Sequence, residues 1–115
     1  MNARRLRIAV PTKGDGGLED TVSEVFGRAN TFTIIDMEDC RVEAVDVLRN
    51  PTVSYKYGAG PIVVKMLIER GVNVVVSGEL GPGASGLLEQ HKIPVVTVKP
   101  GMLVTKAIEL VKPNN

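Results

Sequence analysis

The segment Val72 to Val98, VNVVVSGELGPGASGLLEQHKIPVVTV, restricts the fold of this chain more than any other. Val72, Val74, Val75 and Val76 make a β-branched run that stops at Gly78. Gly81-Pro82 then opens a stretch with helical spacing (Ala84, Leu87, Leu88, His91), and Val95 to Val98 follows as another strand. A strand, a glycine-rich turn, a helix and a parallel strand form a unit whose turn commonly binds ligands. A valine strand without polar alternation is covered on both faces, so it belongs inside a sheet.

Periodicity supplies the remaining elements. Leu6 to Pro11 reads as a first strand, Thr31 to Met37 as a second and Val42 to Leu48 as a third. Only Glu38 to Arg41 separates the second from the third, so they pair as an antiparallel hairpin. The polar, glycine-rich stretch Thr12 to Glu24 reads as a loop. Gly60-Pro61 starts a helix through Arg70, with proline at its first position and Gly71 just past its end. A last helix runs from Met102 to Val111 and is ended by Pro113. The hairpin keeps strand 3 beside strand 2, and right-handed crossovers carry strands 4 and 5 to the other side of strand 1. The expected fold is therefore α/β: a single five-stranded mixed sheet in the order 3-2-1-4-5, strand 2 antiparallel, with three helices, over residues 1–115 as one domain. Burial should centre on Ile8, Val10, Ile34, Val74, Val76 and Val95.

Composition excludes several functions. A formal net charge of +1 provides no basic face for the phosphates of a duplex, so no nucleic-acid partner is expected. Arg4, Arg5 and Arg7 read as the solvated end of a strand. The single cysteine precludes an intrachain disulfide and fits a reducing compartment. No apolar run approaches bilayer length and no export-type segment stands out, so a cytoplasmic location without a membrane partner is the expectation.

Strand direction decides which loops meet. With strand 1 pointing up, one rim collects Thr12 to Gly17, Phe26 to Ala29, Asn50-Pro51, Tyr57 to Gly60, Gly78 and Gly81 to Gly83. Ligands of open α/β sheets bind beyond the carboxyl ends of the strands where the order reverses, here between strands 1 and 4. Two helices start on this rim with Gly-Pro, each offering unpaired N–H groups and roughly half a positive charge. Arg28 adds a permanent cation. Glycines at 58, 60, 78, 81 and 83 let a bulky ligand reach the backbone without meeting a Cβ. Such a site suits a phosphate, a carboxylate or a negatively charged cluster. In the bland alternative the glycines only make tight turns and Arg28 pairs with Glu24 or Asp20.

Several motifs on the same rim carry a resemblance. IAVP at Ile8 to Pro11, SEVFGRA at Ser23 to Ala29, Asn50-Pro51, GAG at Gly58 to Gly60 and SGELGPGA at Ser77 to Ala84 occur in order over nearly the whole chain. In these the chain resembles the dinitrogenase iron-molybdenum cofactor biosynthesis family, small domains similar to NifX and to the C-terminal part of NifB. The resemblance implies a ribonuclease H-like fold. It also implies a non-enzymatic binding or carrier protein for an anionic metal-sulfur cofactor or its precursor. The cluster would be of iron-sulfur or iron-molybdenum type, bound non-covalently, with protein partners in cluster assembly. The expected cofactor-binding residues are Phe26, Gly27, Arg28, Asn50, Gly58, Gly60, Gly78, Gly81 and Gly83.

Other chemistries find less support. Cys40 lies in the lower hairpin and His91 ends the second helix at the far side of the sheet, so one metal cannot draw on both. No Cys or His set for a cluster is present, and a cluster with its own ligands would be held by Arg28 and backbone amides. Strand 1 carries no carboxylate for two-metal nuclease chemistry, and neither a Ser-His-Asp set nor a P-loop occurs. No catalytic residue is assigned. A small regulatory or interaction domain that binds a nucleotide or another anion is the second reading. A phosphatase or transferase using Thr12, Lys13 and Asp15 is the third.

Overall fold

The structure, a computed structural model, describes residues 5–111. Its sheet holds β1 (Arg5–Thr12), β2 (Thr31–Glu38), β3 (Arg41–Arg49), β4 (Val74–Ser77) and β5 (Val95–Thr97) in the order β3-β2-β1-β4-β5. β2 runs antiparallel to both neighbours, and β4 is parallel to β1 and β5. This is the topology that the hairpin and crossover rules predict. Glu38 pairs with Arg41 across a two-residue turn. Asp39 and Cys40 both take positive φ there, 52° and 71°, which matches the twist of the flanking strands.

Period-2 alternation sends the strands into two cores. Ala9, Phe32, Ile34 and Val75 face α1 (Ala59–Glu69) and α2 (Pro82–Gln90), which contribute Val63, Val64, Leu67, Ala84 and Leu88. Ile8, Val10, Ile35, Val74 and Val76 face α3 (Val104–Ile108) together with Val22 and Val98. Every residue of β4 is buried, as its unbroken apolar run requires. Among the expected core residues only Val95 is half-buried, because β5 is an edge strand.

Several boundaries differ from the expectation, each for a local reason. α1 begins at Ala59 rather than at the Gly-Pro pair, and Pro61 takes the third helical position, where an N–H would be unpaired in any case. Val72 stays outside β4 because its N–H closes the end of α1 on the Leu67 carbonyl. α3 is shorter than expected since Met102 and Leu103 pair with the 20–22 segment: Val22 N–H donates to Met102 O at 2.8 Å, and Leu103 bridges Thr21. Pro113, the expected stop, lies outside the described residues, as does Arg4. The supposed loop after β1 holds a short 3-10 helix at Gly17–Glu19. Arg5 and Arg7 are not merely solvated, because they pair with Glu38 and Asp36.

Candidate functional site

α1 and α2 both begin on the rim where β1 and β4 end. Neither N-terminus has a side-chain cap or an acidic residue in its first turn, so their leading N–H groups and partial positive charge stay uncompensated. Small residues bring the two ends side by side. A Cβ at Gly60 would lie 3.2 Å from the Ala84 Cβ, and one at Gly83 would lie 3.3 Å from Pro61 Cγ.

The Phe26–Ala29 turn is clamped against these ends. A Cβ at Gly27 would come within 2.7 Å of the Gly60 nitrogen, closer than real Cβ contacts allow, so only glycine lets the turn sit on α1. Asn50, 4% exposed, holds the turn from behind. Its Nδ2 donates to the carbonyls of Gly27 at 2.9 Å and Ala29 at 2.8 Å, while its Oδ1 accepts from the Thr52 N–H at 3.0 Å. Thr52 Oγ1 lies 2.8 Å from both Gly27 O and Asn50 Oδ1. Phe26 is buried edge-on against Phe32, ring centroids 5.3 Å apart, and anchors the turn in the core.

A cavity of about 370 Å³ opens between this turn and the helix ends. Phe26, Gly27, Arg28, Gly60, Gly81 and Gly83 line it. Three further expected residues do not: Asn50 is the buried clasp, Gly58 leads into α1 at φ 76°, and Gly78 packs against Pro100. The glycines thus serve different ends. At 27, 60 and 83 the vacated space is filled by the protein's own backbone or side chains, whereas a Cβ at Gly81 would meet nothing within 4 Å. Only Gly81 keeps backbone open towards the cavity in the sense foreseen from sequence.

Arg28 is exposed and makes no ion pair or side-chain hydrogen bond among the described residues. The alternative partner Asp20 is occupied by backbone, accepting from the N–H groups of Gly14, Gly16 and Thr21 at 3.0, 2.9 and 2.7 Å. Sequence reasoning missed three polar lining groups, Tyr55, Lys56 and Glu79, and weighed Glu24 only as a partner for Arg28. The side-chain charges of Arg28 and Lys56 balance those of Glu24 and Glu79, so the fixed positive potential of the cavity comes from the helix ends. Asn-Pro-Thr at 50–52 was the available signal for the clasp, since Asn readily bonds the backbone two residues on.

The other end of the molecule offers a different groove. It is about 390 Å³, mostly apolar, and its charged lining groups are Asp39 and Glu109. Two carboxylates and no cation make it unsuited to an anion. Cys40 lines this groove and is exposed, while His91, also exposed, follows α2 near β5 at the opposite sheet edge. Thr12 is buried, its hydroxyl 2.6 Å from that of Thr31 and 3.0 Å from that of Thr33. No helix among the described residues is long and apolar enough to cross a membrane.

The family model described as dinitrogenase iron-molybdenum cofactor matches residues 4–114. A protein from Thermotoga, solved by NMR as a candidate NifB protein, is 33% identical, with a TM-score of 0.73 over 90% of this chain and 84% of that one. The orange protein of Desulfovibrio gigas, described in its apo form, is 28% identical, with a TM-score of 0.79 over 95% of this chain and 96% of that one. An uncharacterised protein of Methanocaldococcus jannaschii is 23% identical over 95 residues, 83% of this chain and 76% of its own length. The chain belongs to the dinitrogenase iron-molybdenum cofactor family.

Proposed function

We propose that this member of the dinitrogenase iron-molybdenum cofactor family is a non-catalytic binding or carrier protein for an anionic metal-sulfur cofactor or precursor, seated between Arg28 and the starts of α1 and α2. The family links the chain to the biosynthesis or handling of that cofactor. One observation carries the finer reading: an unpaired Arg28 and two uncapped helix ends converge on one cavity. Because no group of three or more His, Cys, Asp or Glu suited to a metal occurs among the described residues, the species would arrive with its metal ligands complete. Backbone N–H groups and a guanidinium then bind the outer sulfur atoms by charge and hydrogen bonding. The description of the Desulfovibrio relative as an apo form is in keeping with a ligand-accepting fold. A carrier also needs a protein that loads it and one that unloads it.

Titration with tetrathiomolybdate, beside ATP and GTP, tests the reading. Wild type should bind the thiometallate and Arg28→Ala should bind it roughly tenfold to 150-fold more weakly, the loss of one charge-assisted contact. Lys106→Ala, on α3 across the sheet, is the control and should stay within about twofold because salt screens distant surface charge. Preference for a nucleotide over the thiometallate, or equal affinity of all three proteins, would reject the proposal.

A further inference from the structure

Between the clasp at Thr52 and the start of α1 runs a segment that the fold holds only at its two ends. Thr52 is 1% exposed and Ala59 is buried at 8%, yet Tyr55 is 44% exposed and Tyr57 is 88% exposed. The Tyr55 N–H reaches back to Thr52 O at 3.0 Å, after which the N–H groups of Lys56, Tyr57 and Gly58 have no partner among the described residues. Gly58, at φ 76°, has no Cβ to restrict its dihedrals. Few contacts and free backbone groups are the physical marks of a segment that opens at little cost.

Charge gives this segment a task. In the open cavity the side-chain charges of Arg28 and Lys56 are offset by those of Glu24 and Glu79, so only the two helix ends draw a multiply charged anion in. The backbone that carries Arg28 is clamped by Asn50, so of the two lining cations Lys56 is the one whose backbone can advance. We propose that residues 53–58 form a strap that closes once the anion is seated, carrying Lys56 over it from the side opposite Arg28. Tyr57 then leaves solvent and covers the ligand. The inference rests on the site reading above and adds what controls release: the strap sets how long the ligand stays.

The strap contains both tyrosines of a chain without tryptophan. Fluorine NMR of protein labelled with 3-fluorotyrosine therefore reports on this segment alone. In free protein a soluble nitroxide should broaden the Tyr57 line strongly. Saturation with tetrathiomolybdate should protect that line in wild type and in Arg28→Ala but not in Lys56→Ala. Stopped-flow dissociation of the thiometallate should be roughly tenfold faster from Lys56→Ala, and Lys56→Arg should restore slow release. Wild type that binds the probe with Tyr57 still open to the nitroxide, or Lys56→Ala with wild-type release, would overturn the strap while the site stands through its Arg28 dependence. Failure of wild type to bind the probe would overturn both.

Discussion

The two rims of the sheet carry similar side chains and use them in opposite ways. On the lower rim Arg5 Nε lies 2.8 Å from Glu38 and Arg7 Nε lies 2.7 Å from Asp36, while a further Arg7 nitrogen donates to the Arg70 carbonyl. The hydrogen bond to Asp36, and then its charge, raise the Arg7 pKa above its ordinary value. On the upper rim Arg28, Lys56, Glu24 and Glu79 line one cavity and pair with nothing among the described residues. The difference shows that charge count alone does not locate a binding site. A paired arginine already has its carboxylate, and one without a partner beside uncapped helix ends still has its capacity to bind an anion.

The contrast breaks most easily at its hidden support. Asn50→Ala leaves the Ala29 carbonyl and the Thr52 N–H buried without a partner, at about 1–3 kcal/mol each, while Thr52 Oγ1 still reaches the Gly27 carbonyl. Urea denaturation should show a loss of roughly 2–5 kcal/mol, and thiometallate binding should vanish with the turn that carries Arg28. An unchanged midpoint would mean that the turn does not depend on Asn50. Arg28→Ala separates the two effects. Stability should hold within ~0.5 kcal/mol, as for other exposed substitutions, while affinity falls tenfold or more.

Two glycines sharpen the comparison within the upper rim itself. Gly27→Ala forces a Cβ to 2.7 Å from the Gly60 nitrogen and should cost about 1–3 kcal/mol of stability through overpacking. Gly81→Ala meets nothing within 4 Å at φ −68°, so denaturation should be unaffected and only ligand affinity should drop. Equal stability losses in both would contradict the distinction between packing glycines and an open one. The smallest effect belongs below: Asp36→Asn releases Arg7 on the far rim, and affinity should stay within about twofold.

Much of the fold was legible because few sheet orders satisfy a hairpin followed by two right-handed crossovers. Val74 to Val76 could only be interior, and the four-residue link at 38–41 admitted only an antiparallel pair. Loop-to-loop pairing was not legible. Nothing at Met102 or Leu103 announces that they will bridge residues 20–22 instead of joining α3. The site was legible in part for the same reason. Motif and strand direction put Arg28 and Gly81 on one rim, but local sequence cannot tell a glycine emptied for a neighbour from one emptied for a ligand. Lys56 escaped notice because a single lysine in a polar loop has no pattern, and only the path of residues 50–58 brings it to the cavity.

The tip of the hairpin has a practical consequence. Cys40 is the only thiol of the chain, is exposed, and sits at the end of the molecule away from the helix starts. A maleimide linker there would tether every molecule to a sensor surface in one orientation, with the Arg28 side turned to the liquid. Binding and transfer could then be followed on an oriented monolayer without engineering a new attachment point.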